Sequence, residues 1–404
     1  MSSAWAPLRH PAFRLVWLAF FGVQLMNWSE TVGAVDVIAA QSDSPALLAL
    51  VQTASTLPAV LLALPAGAAA DLVDRRLLIV GLTLAMAATM ALLAALVAAG
   101  AATPAVVLAL TLALGCAVAV AIPSFASMIP DLVPASDLAG AVTLNGISIN
   151  LARALGPAVA GLIIAVSGAT LLFAVLAAVL CAIALLLLVR PQPGLDAPPA
   201  RGEPVVTAMR AGLGFARGSR DLRTVLVRSG TFVVPASALW AMMPVVAVQR
   251  LGLEPAAFGG ILAALGSGAV AGAQVLPWLR ARFTLDGLVL GGSAIGAANL
   301  VLLGVLDSTV LVVVSLVGAG AAWIAVLSSL HTAAQLAAPT WVRGRALSVY
   351  QLVFAGGMAG GSALWGLVAE VVGVTEALVS AAALLLAAGL LASARWRLAG
   401  VARG

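Results

Sequence analysis

The sequence predicts an all-α polytopic membrane protein: twelve transmembrane helices in two pseudo-symmetric six-helix bundles, with both termini in the cytoplasm. Three observations predict it: the composition, a series of twelve apolar runs, and an internal repeat. Hydrophobic residues make up 63% of the 404 positions and charged residues 9%, against roughly 45–50% and 25% in soluble proteins. Such a chain cannot cover a globule with polar surface, so most of its exterior must meet lipid. The repeat has a constant spacing of 205 residues and pairs Gly67 with Gly272, Gly115 with Gly320, Gly156 with Gly361, Gly161 with Gly366 and Gly168 with Gly373. Pro134 and Pro339 match in the same register, as do Arg75 and Arg280. Five of the twelve glycines in residues 1–199 find such a partner, where chance supplies about one or two.

Crossing roughly 30 Å of hydrocarbon takes about 20 residues. The runs that qualify are 13–39, 45–66, 77–99, 105–129, 137–166, 169–189, 222–249, 256–277, 285–305, 309–336, 343–370 and 374–394. They must be helices, because a helix satisfies its own backbone in lipid and the alternating ten-residue segments of a barrel are absent. Turn chemistry separates them: Ser44-Pro45 opens the second, Thr103-Pro104 precedes the fourth, and Ser136-Asp137 caps the fifth. The one long break, 190–221, starts proline-rich and divides the chain into an N-terminal bundle, 1–189, and a C-terminal bundle, 222–404. Within it, Val206, Met209, Leu213 and Ala216 recur at helical spacing with Arg210, Arg217 and Arg220 between them. That pattern predicts an amphipathic helix lying on the anionic inner leaflet. The polar lead Met1–Pro11 runs into the first apolar stretch without a small-residue cleavage site, so the first helix is expected to stay as an anchor.

Arginine sets the orientation. With the N-terminus inside, Arg9, Arg14, Arg75, Arg76, the seven arginines from Arg190 to Arg228, Arg280, Arg282, Arg343, Arg345, Arg395, Arg397 and Arg403 all fall on the cytoplasmic side. Only Arg250 lies outside and Arg153 within the membrane. The opposite topology would reverse nearly all of them.

The same inventory excludes several functions. The net charge is +5, but the arginines punctuate apolar runs and form no phosphate-binding face, so no nucleic-acid partner is expected. The chain has no lysine and no phosphate-cradling loop of the Gly-x-x-x-x-Gly-Lys type, which excludes ATP-driven transport by this chain alone. Cys116, Cys181, His10 and His331 are too scattered for a metal site, and no nucleophile–base constellation marks an enzyme. No cofactor is expected; the proton gradient is the expected energy source.

Two motifs carry the functional reading. The first, Gly67-Ala-Ala-Ala-Asp71-Leu72-Val73-Asp74-Arg75-Arg76, lies between the second and third spans. Gly67 permits close helix approach, while Asp71, Asp74, Arg75 and Arg76 can form a charged latch onto the facing half. The loop resembles the signature of the major facilitator superfamily, Gly-x-x-x-Asp-Arg/Lys-x-Gly-Arg-Arg/Lys, with Leu72 in place of a basic residue and Asp74 in place of glycine. The second motif, Ala152-Arg153-Ala-Leu-Gly156-Pro157-Ala-Val-Ala160-Gly161, is similar to that superfamily's antiporter motif. Its small residues also make a flat helix-packing face, and Pro157 can bend the helix. Leu8–Arg14, Ser44-Pro45, Asp74–Arg76 and Trp341–Arg345 resemble the enterobactin-exporter-like group, the transmembrane secretion effectors. The resemblance covers essentially the whole chain. It implies alternating access between two halves with the substrate site between them, and in antiporters exchange against protons.

Ionisable groups at mid-membrane cost several kcal/mol unless paired or solvated. Gln24, Asn27, Glu30 and Thr31 share one face of the first helix. Glu30 sits about 25 Å along it from Phe13, a depth close to that of Arg153 in the fifth helix. The resemblance makes these helices neighbours, so Glu30 and Arg153 can pair, as a proton-coupling switch or as a static ion pair, or stand without contact. Asp36 is expected in water near the outer surface. Asn145, Asn150, Trp240, Trp323, Tyr350 and Gln351 are the remaining cavity-lining candidates; His331 and Gln335 face the inner end. A cavity acidic on one side and aromatic on the other suits an amphipathic, cationic or aromatic molecule.

The resulting reading is a monomeric, proton-coupled exporter of a small amphipathic organic molecule, such as a drug, siderophore or secondary metabolite, in the plasma (inner) membrane. A lipid or lysolipid flippase of the same fold, or a non-transporting membrane sensor or accessory protein, are the alternatives.

Overall fold

The computed structural model describes residues 5–62, 74–134, 136–189, 213–253, 255–339 and 342–398, with the side chains of 75, 139 and 255–258 left aside. Among the described residues there is no strand. The helices are α1 (Pro11–Ala39), α2 (Pro45–Leu61), α3 (Arg75–Ala98) and α4 (Pro104–Leu132). Next comes Leu138–Val189, which Gly168 (φ 76°, ψ 173°) divides into α5 (138–167) and α6 (169–189). Then follow α7 (Arg220–Val245), α8 (Pro255–Arg282), α9 (Leu285–Val305), α10 (Thr309–Leu336), α11 (Arg343–Val372) and α12 (Val374–Arg395). Among the described residues, nine helices are long and apolar enough to cross a membrane, Leu138–Val189 counting as one. α1 is diluted by its polar face and α2 is 17 residues long.

Local chemistry starts these helices. Ser44 Oγ accepts from Leu47 N at 3.3 Å ahead of Pro45, and Ser219 Oγ accepts from Leu222 N at 3.2 Å. Asp74 Oδ1 accepts from Arg76 N and Leu77 N at 2.9 and 3.0 Å. Thr103 makes no side-chain cap; Pro104, with no N–H to satisfy, opens α4. Several boundaries differ from the sequence reading; α2 ends at Leu61, short of 66, and α4 runs through Pro130 to Leu132, past 129. α8 continues through Pro277 to Arg282, because neighbouring helices can re-satisfy a backbone that a membrane proline interrupts. α7 passes into a π turn, Val246–Arg250. Residues 213–218 are helical, as the amphipathic pattern over 205–220 predicts, but Ser219 breaks the run and Arg220 already opens α7; residues 205–212 lie outside the described residues.

The glycine repeat is a repeat of contacts. Gly168 and Gly373 carry φ of 76° and 102°, a left-handed backbone that glycine adopts without a Cβ penalty, and each turns one helix into the next. A methyl on Gly115 would lie 2.9 Å from Pro58 Cγ, so α4 packs on α2 there. At Gly320 the carbonyl of Leu265 and, at 2.9 Å, the amide of Ala269 occupy that space, so α10 packs on α8 likewise. Gly156 brings α5 onto α1 at Trp28, and Gly361 brings α11 onto α7 at Val234. Gly161 and Gly366 mark contacts between the halves. Gly259 of α8 faces Pro157 and Gly161, and a methyl on Gly366 would lie 2.6 Å from Ala49 Cβ of α2. Gly67 lies outside the described residues.

Candidate functional site

The tight seat of α5 on α1 builds the centre of the molecule. A methyl on Gly156 would stand 2.8 Å from Trp28 Cβ, and the Ser29 hydroxyl donates to the Gly156 carbonyl at 3.0 Å. This pins Arg153, one turn earlier, over the indole of Trp28, with Cζ 5.1 Å from the ring centroid. From Trp28 an aromatic row crosses into the other half. Trp28 and Trp240 of α7 are 5.8 Å apart, and Trp240 meets Trp323 of α10 edge-on at 5.5 Å. Trp323 meets Phe232 at 5.6 Å and Phe354 of α11 at 6.4 Å. These separations lie within the roughly 4.5–7 Å range of favourable ring pairs. Trp240 and Trp323 are 8% and 7% exposed.

Three polar atoms of this region are buried without a hydrogen-bond partner: Arg153 Nε, Trp240 Nε1 and Gln24 Oε1, the last one turn before Trp28 on α1. Each such group costs about 1–3 kcal/mol. The ring system holds two unused donors and one unused acceptor.

Glu30 does not pair with Arg153. Its carboxylate, 3% exposed, accepts from the Thr111 hydroxyl of α4 at 2.5 Å. α1 and α5 are indeed neighbours, but the helical phase separates the two charges. Ser29 faces α5, so Glu30, about 100° further round α1, faces α4. The acid and the aromatic row therefore do not form opposite walls of one cavity; the charge beside the aromatics is Arg153.

Other predicted residues are placed differently. The Thr31 hydroxyl donates to the Asn27 carbonyl at 3.3 Å, and Asn150 Nδ2 to the Gly146 carbonyl at 3.0 Å, both within their own helices. Asn27 and Asn145 are half-buried and Gln351 is exposed. Tyr350 is buried one turn from Phe354 and sits edge-on to His331 at 5.7 Å. Asp36 is half-buried and lines a 240 Å³ cavity between α1 and the π turn, with Val248 and Leu253 opposite. Of the latch loop, Gly67 and Asp71 and the Arg75 side chain lie outside the described residues. Asp74 caps α3, and Arg76 donates to the carbonyls of Leu187 and Leu188 at 3.0 and 2.6 Å. Those bonds tie α3 to the end of α6 in the same half.

Sequence reasoning missed Trp28, Phe232 and Phe354, whose only signal was the spacing of Trp28 one turn from Gln24. It gave no sign that Arg228, counted with the cytoplasmic arginines, is enclosed by its neighbours. Arg228 is 2% exposed, roughly two turns inside α7. Its Nη1 donates to the Gly389 carbonyl of α12 at 3.0 Å, and its Nη2 lies 3.4 Å from Asp286 Oδ1 of α9.

The halves are joined at the end carrying the 40–44 and 373 turns. Glu370 of α11 accepts from Ser44 Oγ at 2.8 Å and from Ala46 N at 3.2 Å, and Gln249 donates to the Asp43 carbonyl. Nearer the middle, the Thr53 hydroxyl donates to the Ala359 carbonyl at 3.1 Å.

A duplicated helical bundle whose two repeats meet around a buried aromatic row is the architecture of a polytopic membrane transporter. The family model described as transmembrane secretion effector matches residues 2–402; the chain belongs to that family, and with it to the major facilitator transporters. No curated protein matches by sequence. Among solved structures, a bacterial homologue of the human lysosomal transporter Spinster, inward-facing and occupied, is 15% identical. That likeness covers 99% of each chain with a TM-score of 0.77. The nucleoside transporter NupG is 13% identical over 96% of this chain and 99% of its own, TM-score 0.72. A D-xylose-proton symporter is 15% identical over 96% of each, TM-score 0.71. At these identities the likeness shows the fold.

Proposed function

We propose that the protein is a monomeric secondary exporter of a small amphipathic organic molecule, working by alternating access in the plasma membrane. In this reading twelve spans form two bundles, 1–189 and 222–404, joined by the cytoplasmic linker 190–221, with both termini inside. Leu138–Val189 counts as two spans, and α1 and α2 complete the set. The bundles rock about the row Trp28–Trp240–Trp323, which bridges them at mid-span; that bridge is the observation that carries the reading. Glu30, buried with a single hydroxyl partner, is the proton-coupling group, and it acts through α4 without an ion pair to Arg153.

The test is metabolite profiling of a deletion strain, in cells and medium, against its complemented parent. A compound that accumulates inside and falls outside supports export and identifies the cargo; the reverse pattern overturns the direction. A lipid flippase is the second reading. An apolar groove of 510 Å³ between α8, α9 and α10, lined by Gly272, Leu279, Phe283, Gly291, Gly318 and Ala325, favours it. Altered lipid asymmetry with unchanged metabolites would put that reading first.

A further inference from the structure

We infer that Arg153 is the anion receptor of the central site and that the transported molecule is an arene bearing a carboxylate. This rests on the reading of the chain as a transporter and narrows its substrate class.

The argument starts from an uncompensated charge. Arg153 lies mid-span in α5, and among the described residues it makes no ion pair or hydrogen bond; its Nε is buried. Arg153 is half-buried, with Nε enclosed and the two Nη groups open to a ligand, and a charge at that depth calls for a counter-charge or solvent. Stacking on Trp28 offsets only part of the cost of such a placement. The acid that could neutralise it, Glu30, faces α4 and is engaged by Thr111. Among the described residues no acid neutralises it, which leaves that place to a counter-charge carried by a ligand.

Its surroundings specify the rest of the ligand. Trp240 Nε1, also buried and unpartnered, is a second donor, set one ring beyond Trp28. A carboxylate accepts a charge-assisted bond from Arg153, and Trp240 Nε1 is a further donor to the same molecule. The Trp28–Trp240–Trp323 row has tilts of 47° and 69°, and a planar ring extends such a row by the same offset and edge contacts. Gln24 Oε1 remains as an acceptor for a hydroxyl or N–H on the same molecule. Cationic amphiphiles, allowed by the sequence reading, are disfavoured by a fixed positive charge beside the rings.

Binding, measured apart from transport, tests this. The purified full-length protein is placed in zwitterionic nanodiscs and titrated by calorimetry with 1-naphthoate, 1-naphthamide and 1-naphthylmethylammonium, which share one ring and differ in charge. The expected order is naphthoate tightest, by about tenfold over the amide, with the ammonium weakest. Arg153→Gln should remove the preference for naphthoate and leave amide binding within about twofold; Arg153→Lys should restore part of it. Trp240→Phe, which keeps a ring and removes the N–H, should weaken naphthoate several-fold. Tightest binding of the ammonium, no binding of any probe, or an unchanged preference in Arg153→Gln overturns the assignment. So does displacement of naphthoate by phosphatidylglycerol in the disc, which would give Arg153 to a lipid headgroup. Charge-selective binding without flux in proteoliposomes would overturn the transporter reading and leave the anion site standing. Flux with no dependence on Arg153 would do the opposite.

Discussion

The N- and C-terminal halves share their glycines and differ in their charges. The paired glycines at 115/320, 156/361, 161/366 and 168/373 make equivalent contacts or turns in each half. The positions 205 residues on from Glu30 and Arg153 are Pro235 and Met358, and the position 205 before Arg228 is Val23. Where a residue sets how closely two helices approach, both repeats keep it, because overlap with a neighbour's backbone cannot be relieved by a rotamer change. The ionisable groups obey no such symmetry. The N-half holds a lone carboxylate and a lone guanidinium, and the C-half holds a buried pair, Arg228 with Asp286. Duplicated packing built the frame, and unduplicated charge sets what each half does within it.

The largest expected break in this comparison comes from the N-half charge. Glu30→Gln should abolish gradient-driven transport in proteoliposomes while sparing downhill exchange; loss of both modes would reduce Glu30 to a packing role. Next is the C-half pair. Asp286→Leu, which leaves Arg228 buried without its carboxylate, should cost about 3–5 kcal/mol of stability. Arg228→Met should cost less, because the Asp286 side chain is 21% exposed. Combining the two should recover most of the loss, and thermal unfolding in detergent reads all three. Smaller still, Gly115→Val and Gly320→Val should each cost about 1–3 kcal/mol by overpacking. Similar values for the pair are the prediction; a large difference would mean that the repeat does not carry equal packing. The smallest effect falls where the halves join. Glu370→Ala removes the bonds from α11 to the start of α2 and should shift the conformational balance by at most about tenfold.

Much of the frame is readable without coordinates, because a mid-membrane helix must be apolar along its whole length. The runs 285–305 and 309–336 coincide with α9 and α10. The break between 166 and 169 falls at Gly168, where the left-handed turn divides one continuous helical stretch. The site is less legible. Trp240 and Trp323 stand out as large rings in apolar runs, whereas Phe232 and Phe354 have no feature that separates them from lipid-facing phenylalanines. The candidate Glu30–Arg153 pair fails for a related reason. Sequence spacing fixes which residues of one helix share a face, but the face turned to each neighbour is set by tertiary packing, here by Gly156 against Trp28. The burial of Arg228 is not legible, because the carboxylate that accompanies it is 58 residues away, on α9.

The most direct test of the two-repeat account is a pair of distances measured by double electron–electron resonance in a background lacking Cys116 and Cys181. One label pair, on Ser42 and Val372, spans the halves at the joined end; the other, on Asp131 and Arg345, spans them at the opposite end. Rocking about the aromatic row predicts two populations for each pair, with one distance lengthening as the other shortens when a bound ligand or the Glu370→Ala change shifts the balance. A single unchanging distance at both ends, with cargo bound and without, would contradict alternating access.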